Sequence, residues 1–244
     1  MNNAIEVHYL CKRYGNVTAL SQLQLAVHEG EMLALLGVNG AGKTTAIKLL
    51  SCLTSPDEGE AFLGGHSILT EPQAVKEIIG VSPQETAVGK KLTVRENLLF
   101  LAEIHGLNKE KARERVEKML KELRLDEVAE RRAGTLSGGW QRRVSIAMAL
   151  ISEPRILFLD EPTLGLDVIA RHELWEYIRS LKGKMTVILT THYLEEAESL
   201  CDRVAILAQG KLVTVGTVEE IKARAGAERF EDAFVKLSMR GVMA

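Results

Sequence analysis

Gly37-Val38-Asn39-Gly40-Ala41-Gly42-Lys43-Thr44 fits the pattern G-x-x-x-x-G-K-[ST], and the reading of this stretch decides the fold. Just before it, Met32-Leu33-Ala34-Leu35-Leu36 is the unbroken apolar run of a strand buried on both faces. Just after it, the pattern predicts a helix from Lys43 to Leu53. Glycines let backbone fold closely around an anion with successive N–H groups turned inward, and a helix N-terminus adds partial positive charge. Lys43 can then reach the β- and γ-phosphates of a nucleotide, and the Thr44 hydroxyl can meet Mg²⁺. Alone, the loop implies a nucleotide and leaves open which machine uses it.

Working outward, Ile156-Leu157-Phe158-Leu159 and Thr186-Val187-Ile188-Leu189 have the continuous apolar character of central parallel strands. Their alternation with amphipathic segments predicts an α/β layered core. Val204–Ala208 and Lys211–Val215 flank Gln209-Gly210, a two-residue hairpin turn, and Thr217 with Glu220 forms a capping box that opens a short helix. Between about Thr93 and Arg132 the chain becomes charged and glycine-poor. There Val116, Met119, Leu120 and Leu123 fall at i, i+3, i+4 and i+7, the stripe of a helical insert whose charges read as a solvated face.

The composition narrows the function. With 244 residues and 46% apolar content, the chain can bury an ordinary core as one domain or two intimate subdomains. Basic and acidic residues nearly balance, 31 against 33, and no basic block exceeds short runs such as Lys90-Lys91, so no nucleic-acid-binding surface is expected. The three cysteines, Cys11, Cys52 and Cys201, are widely spaced without a CxxC pair, which points to neither a disulfide framework nor a zinc site. Residues 1–6 lack the basic and apolar regions of a signal peptide, and no apolar run approaches the ~20 residues that span a bilayer. Any membrane role is therefore expected to come through a partner.

Two further stretches carry chemistry. The strand Ile156–Leu159 runs into Asp160-Glu161, which puts two carboxylates at a strand end. Asp160 is placed to hold Mg²⁺, and Glu161, one residue beyond, to act as general base or to orient an attacking water. In Leu136-Ser137-Gly138-Gly139, the serine is expected to cap a following helix on which Val144, Ala147, Met148 and Ile151 keep helical spacing. The two glycines expose backbone N–H groups at the helix start, again suited to an anion.

The order of these stretches, phosphate loop, then Leu136–Gly139, then Asp160-Glu161, resembles the ATP-binding cassette (ABC) ATPases over nearly the whole chain. Other positions fit the resemblance. Tyr14 is similar to the aromatic that stacks on adenine, and Gln84 to the glutamine at the junction of core and insert, which would serve Mg²⁺ and the reacting water. Leu164-Gly165-Leu166-Asp167 resembles the loop that communicates between the two sites of a dimer. His192 resembles the switch histidine that contacts the γ-phosphate. The ATP-binding set so implied is Tyr14, the run Gly37, Val38, Asn39, Gly40, Ala41, Gly42, Lys43, Thr44 and Thr45, and the signature residues Ser137, Gly138 and Gly139. The metal set is Thr44, Gln84 and Asp160; the catalytic set is Glu161, His192, Gln84 and Lys43. One departure is plain: the fifth signature position, commonly Gln, is Trp140, with Gln141 following.

The resemblance implies a P-loop NTPase fold, α/β with a mostly parallel sheet flanked by helices, an N-terminal antiparallel β element and an inserted all-helical subdomain. As a single ABC ATPase domain the chain would divide into a core of 1–84 and 152–220, a helical subdomain of 85–151 bearing the signature, and a short extension of 221–244. It implies ATP and Mg²⁺ as ligands, and a head-to-tail dimer with a second copy or a homologous cassette that ATP closes and hydrolysis reopens. It also implies a separate integral-membrane permease that holds the chain at the cytoplasmic face. Leu92–Leu98, Thr191–Glu198, Cys201-Asp202-Arg203 and Phe230–Phe234 look like the exporter branch, although importer cassettes share every catalytic motif. Soluble family members acting on ribosomes or DNA usually carry paired cassettes or long coiled coils, neither of which is apparent here.

Overall fold

The computed structural model describes residues 2–243. The strands are β1 (Asn3–Tyr14), β2 (Val17–His28), β3 (Met32–Leu36), β4 (Glu58–Leu63), β5 (His66–Ser67), β6 (Ile79–Ser82), β7 (Ile156–Asp160), β8 (Thr186–Thr191), β9 (Arg203–Ala208) and β10 (Lys211–Gly216). The helices are α1 (Lys43–Leu50), α2 (Pro72–Ile78), α3 (Val94–Ile104), α4 (Lys109–Glu122), α5 (Gly138–Leu150), α6 (Val168–Ser180), α7 (Leu194–Leu200), α8 (Val218–Ala225) and α9 (Phe230–Met243).

A six-stranded sheet in the order β10-β9-β3-β8-β7-β6 forms the centre, parallel except for β10. Every residue of β3, β7 and β8 is buried, which explains their unbroken apolar sequence. The pleat sends alternate residues to opposite faces. Leu33, Leu35, Phe158 and Ile188 join a core with α1 and the antiparallel sheet β2-β1-β4-β5. Ala34, Leu36, Leu157, Leu159, Val187 and Leu189 join the other core, which continues without a break into the insert through Leu98, Val116, Met119 and Leu120.

Local expectations hold with two exceptions. Gln209 and Gly210 turn the β9–β10 hairpin with φ of 48° and 76°, the signs a type I′ turn requires. Thr217 and Glu220 form the capping box of α8. However, α1 ends at Leu50 rather than Leu53, because Cys52 adopts a left-handed φ of 55° that a continuing helix excludes. Ser137 occupies the N-cap position of α5 with extended dihedrals, but its side chain makes no capping hydrogen bond.

Candidate nucleotide site

All parallel strands end on one edge of the sheet, and the chemistry-bearing loops follow those ends. The phosphate loop leaves β3 and opens α1. Gly42 has φ +103°, and a Cβ there would lie 2.5 Å from the Ala19 carbonyl oxygen, so only glycine lets β2 cross the loop this closely. A Cβ on Gly37 would meet the Leu207 carbonyl at the same distance. Val38, Asn39 and Gly40 stay exposed, which leaves the outer arc of the cradle open. Thr45 is half-buried in the first turn of α1. The β1–β2 hairpin that crosses Gly42 carries Tyr14 at the end of β1, its ring exposed, with the Lys12 ammonium 5.6 Å from the ring centroid.

Lys43 is buried, and its Nζ donates to the Gly37 carbonyl at 2.7 Å and the Val38 carbonyl at 3.3 Å. It also lies 3.4 Å from Glu161 Oε1. Across the neighbouring strand end, Asp160 Oδ1 accepts from the Thr44 hydroxyl at 3.2 Å and from the buried Thr190 hydroxyl. The donor set of one carboxylate and one hydroxyl, hard oxygens only, fits Mg²⁺, which takes one or two protein oxygens and completes its shell with phosphate and water.

Glu161 sits at φ 49°, a left-handed conformation that a side chain seldom adopts and that concentrates at functional sites. Its N–H donates to the Thr190 hydroxyl at 3.0 Å, which holds the residue in that conformation. Glu161 Oε2 is 2.8 Å from His192 Nδ1, although among the described residues that nitrogen has no partner aligned as a hydrogen bond. The imidazole lies against the Tyr193 ring, 4.1 Å between centroids. The structure thus brings Lys43, Thr44, Asp160, Glu161 and His192 together.

Gln84 lies just past the end of β6, on the same edge, with its side chain exposed. Its carbonyl accepts from Arg142 Nη2 at 2.5 Å, and the Pro83 carbonyl from Arg142 Nη1 at 2.6 Å. Ser137 and Gly138 face solvent at the start of α5, and a Cβ on Gly138 would meet nothing within 4 Å. These signature groups do not line the local cradle but face outward. The Trp140 ring packs into the chain's own core with the Arg143 guanidinium 5.1 Å from its centroid. Asp167 caps α6 by accepting from the Ala170 N–H at 2.9 Å.

Sequence reasoning assigned no role to Thr190, Arg142 or Glu196. A β-branched residue in a strand and an arginine in a helix carry no local signal of function, and Glu196 sits in an ordinary acidic helix start. Yet Glu196 is fully buried, with Oε1 accepting from the Thr163 hydroxyl at 2.9 Å and Trp175 Nε1 at 3.1 Å. Burial raises its pKa and the negative charge of Glu161 adds to that shift, while the hydrogen bonds oppose it.

A family model described as ABC transporter matches residues 20–164. A daunorubicin resistance ATP-binding protein of Streptomyces coeruleorubidus is 42% identical over 231 residues, covering 94% of this chain and 73% of that protein. Among solved structures, the ATP-binding subunit of an ABC transporter is 32% identical and superimposes with a TM-score of 0.87 over 96% of this chain and 99% of the other. A dimeric ATP-binding cassette in a post-hydrolysis state, bound to ADP and Pi, is 27% identical with a TM-score of 0.80, covering 87% and 98%. Identity extends along nearly the whole chain, and the phosphate loop, signature and carboxylate pair fall inside the matched region. The chain belongs to the ABC transporter family, as one of its ATP-hydrolysing cassettes.

Proposed function

We propose that this cassette powers export through a separate integral-membrane permease, and that its nucleotide site works as follows. The gathering of Lys43, Asp160, Glu161 and His192 on one edge of the sheet carries the reading. Asp160 and Thr44, with Gln84, would hold Mg²⁺, which would supply charge stabilisation on the phosphates. Lys43 and the N–H groups of Gly37–Thr45 bind the β- and γ-phosphates, and Tyr14 stacks on adenine. Glu161 accepts the proton of the attacking water or orients it. His192 stands beside Glu161 at the γ-phosphate. Catalysis is then largely positioning and electrostatics.

The exposed Ser137 and Gly138, with the half-buried Gly139 beside them, serve the nucleotide of a second cassette, identical or homologous, so that ATP closes a head-to-tail dimer. Trp140, turned inward onto Arg143, leaves those three residues free for that contact. Supporting export, the relative described above is named for drug resistance. Among the described residues no helix is long and apolar enough to cross a membrane. On α3, Phe100 and Ile104 are 55% and 62% exposed, an apolar patch on the insert suited to receive a permease's cytoplasmic helices.

The test is co-purification from membranes: a multi-spanning membrane protein should come down with the tagged chain. Phe100→Ser with Ile104→Ser should abolish the association and leave hydrolysis by the isolated chain intact. Retained association would displace the contact from α3. A neighbouring solute-binding protein would turn the reading to import.

A further inference from the structure

One seam joins the helix that starts with the signature to the strand that ends in Gln84. Along α5, residues 142, 145 and 149 share a face, at helical spacing. Ala149 meets β6 at Gly80, where a Cβ would lie 2.1 Å from the Ala149 carbonyl oxygen. One helical turn back, the buried hydroxyls of Ser145 and Ser82 hydrogen-bond at 2.9 Å. At the next turn, Arg142 reaches past the strand end and donates to the carbonyls of Pro83 and Gln84 at 2.6 and 2.5 Å. Four residues separate Arg142 from Gly138, about 6 Å along a helix axis.

Arg142 is unusual for a seam residue. It is 5% exposed, and its guanidinium hydrogen bonds go to backbone carbonyls rather than to a carboxylate. Burial lowers the guanidinium's pKa, and the negative charges of Asp160 and Glu161 oppose that. A buried guanidinium whose hydrogen bonds go to two consecutive backbone carbonyls fixes the path of that backbone more firmly than a packing contact would. Its planar fork also resists replacement by the single point charge of lysine.

We propose that Arg142 is a positioning residue that couples the two nucleotide sites of the dimer. It clamps the Gln84 segment of one site to the helix whose N-terminus serves the opposite site. Any shift of Ser137–Gly139 on meeting the partner's nucleotide is carried along α5 to the Gln84 backbone. This rests on the site reading above, specifically on Gln84 serving its own nucleotide and Ser137–Gly139 serving the other.

The test is a double-mutant cycle on the purified full chain, with ATP hydrolysis, fluorescent-nucleotide binding and thermal melting measured together. Arg142→Lys keeps the charge and a buried aliphatic stem but cannot span both carbonyls, and should lower kcat about tenfold with KM for ATP nearly unchanged. In a Gln84→Ala background, Arg142→Lys should cost little more, because the clamp would have nothing left to position. Losses that multiply in the double variant, or that track a fall in melting temperature, would overturn the proposal in favour of a packing role. So would wild-type turnover in Arg142→Lys. Glu161→Gln run alongside separates the two readings. If it turns over normally, the site assignment itself fails; if it is inactive while the cycle is multiplicative, only the coupling fails.

Discussion

The Lys43 ammonium and the Glu161 carboxylate stand 3.4 Å apart with their side chains only 5% and 7% exposed, so the phosphate-binding cation and the candidate general base share one buried charge pair. On the reading proposed above, the same ammonium would meet the nucleotide's phosphates and the same carboxylate the attacking water. Binding and catalysis would then be linked through a single electrostatic contact that strengthens in a low-dielectric site.

Replacing Lys43 with Ala removes a charged donor from the cradle and leaves Glu161 without its buried partner. A charge-assisted hydrogen bond contributes about 1.5–3 kcal/mol, which corresponds to a loss of roughly 10- to 100-fold in ATP affinity. Fluorescent-nucleotide titration measures this. Affinity and turnover both equal to the parent chain would remove Lys43 from the loop's function.

Glu161→Gln keeps the shape of the side chain and most of its hydrogen bonding but cannot take a proton. Hydrolysis should fall by about 100-fold or more while ATP still binds. With ATP bound and not consumed, a closed dimer should accumulate, visible by light scattering after gel filtration. A monomer with normal phosphate release would contradict the assignment.

Thr190 ties the Asp160 carboxylate to the Glu161 backbone, donating its hydroxyl to Asp160 and accepting from the Glu161 N–H at 3.0 Å. Thr190→Val preserves the β-branched shape and leaves that buried N–H with one acceptor fewer. The expected cost is about 1–3 kcal/mol of stability, together with a higher Mg²⁺ requirement for hydrolysis. Thr190→Ser should restore most of both, and a valine variant with parental melting and parental Mg²⁺ dependence would show that the hydroxyl is idle.

Glu196 supplies a pH dependence of defined sign. Its carboxyl pKa is raised in the fold, chiefly by burial, so at pH between the ordinary and the raised value the folded chain binds the proton more than the unfolded chain does. That contribution is fully present below the ordinary carboxylate pKa and fades as pH rises through the raised value. Glu196→Gln, permanently neutral and able to accept from Thr163 and Trp175, should therefore gain in melting temperature relative to the parent as pH rises above the ordinary carboxylate range. Parallel melting curves at acid and neutral pH would assign Glu196 a charge-independent role.

The sequence by itself determined the loop, the strands and the place of the Asp160-Glu161 pair at a strand end, because each is a local device. Gly37–Thr44 needs only glycines, a lysine and a hydroxyl at fixed spacing, and Ile156–Leu159 announces a doubly buried strand by unbroken apolarity. Strand and helix on either side of the loop then left little freedom for the fold. Contacts between residues distant in the chain left no such mark. Arg142 and Gln84 are 58 residues apart, and Thr190 and Asp160 are 30 apart. Sheet order, which seats β8 beside β7, brings Thr190 to Asp160, and the packing of α5 against β6 brings Arg142 to Gln84. The Trp140 ring's inward turn onto Arg143 and the uncapped Ser137 hydroxyl were likewise decided by tertiary packing. Local propensity names the residue suited to a helix start, but what a side chain touches there depends on which surfaces the rest of the fold brings against it.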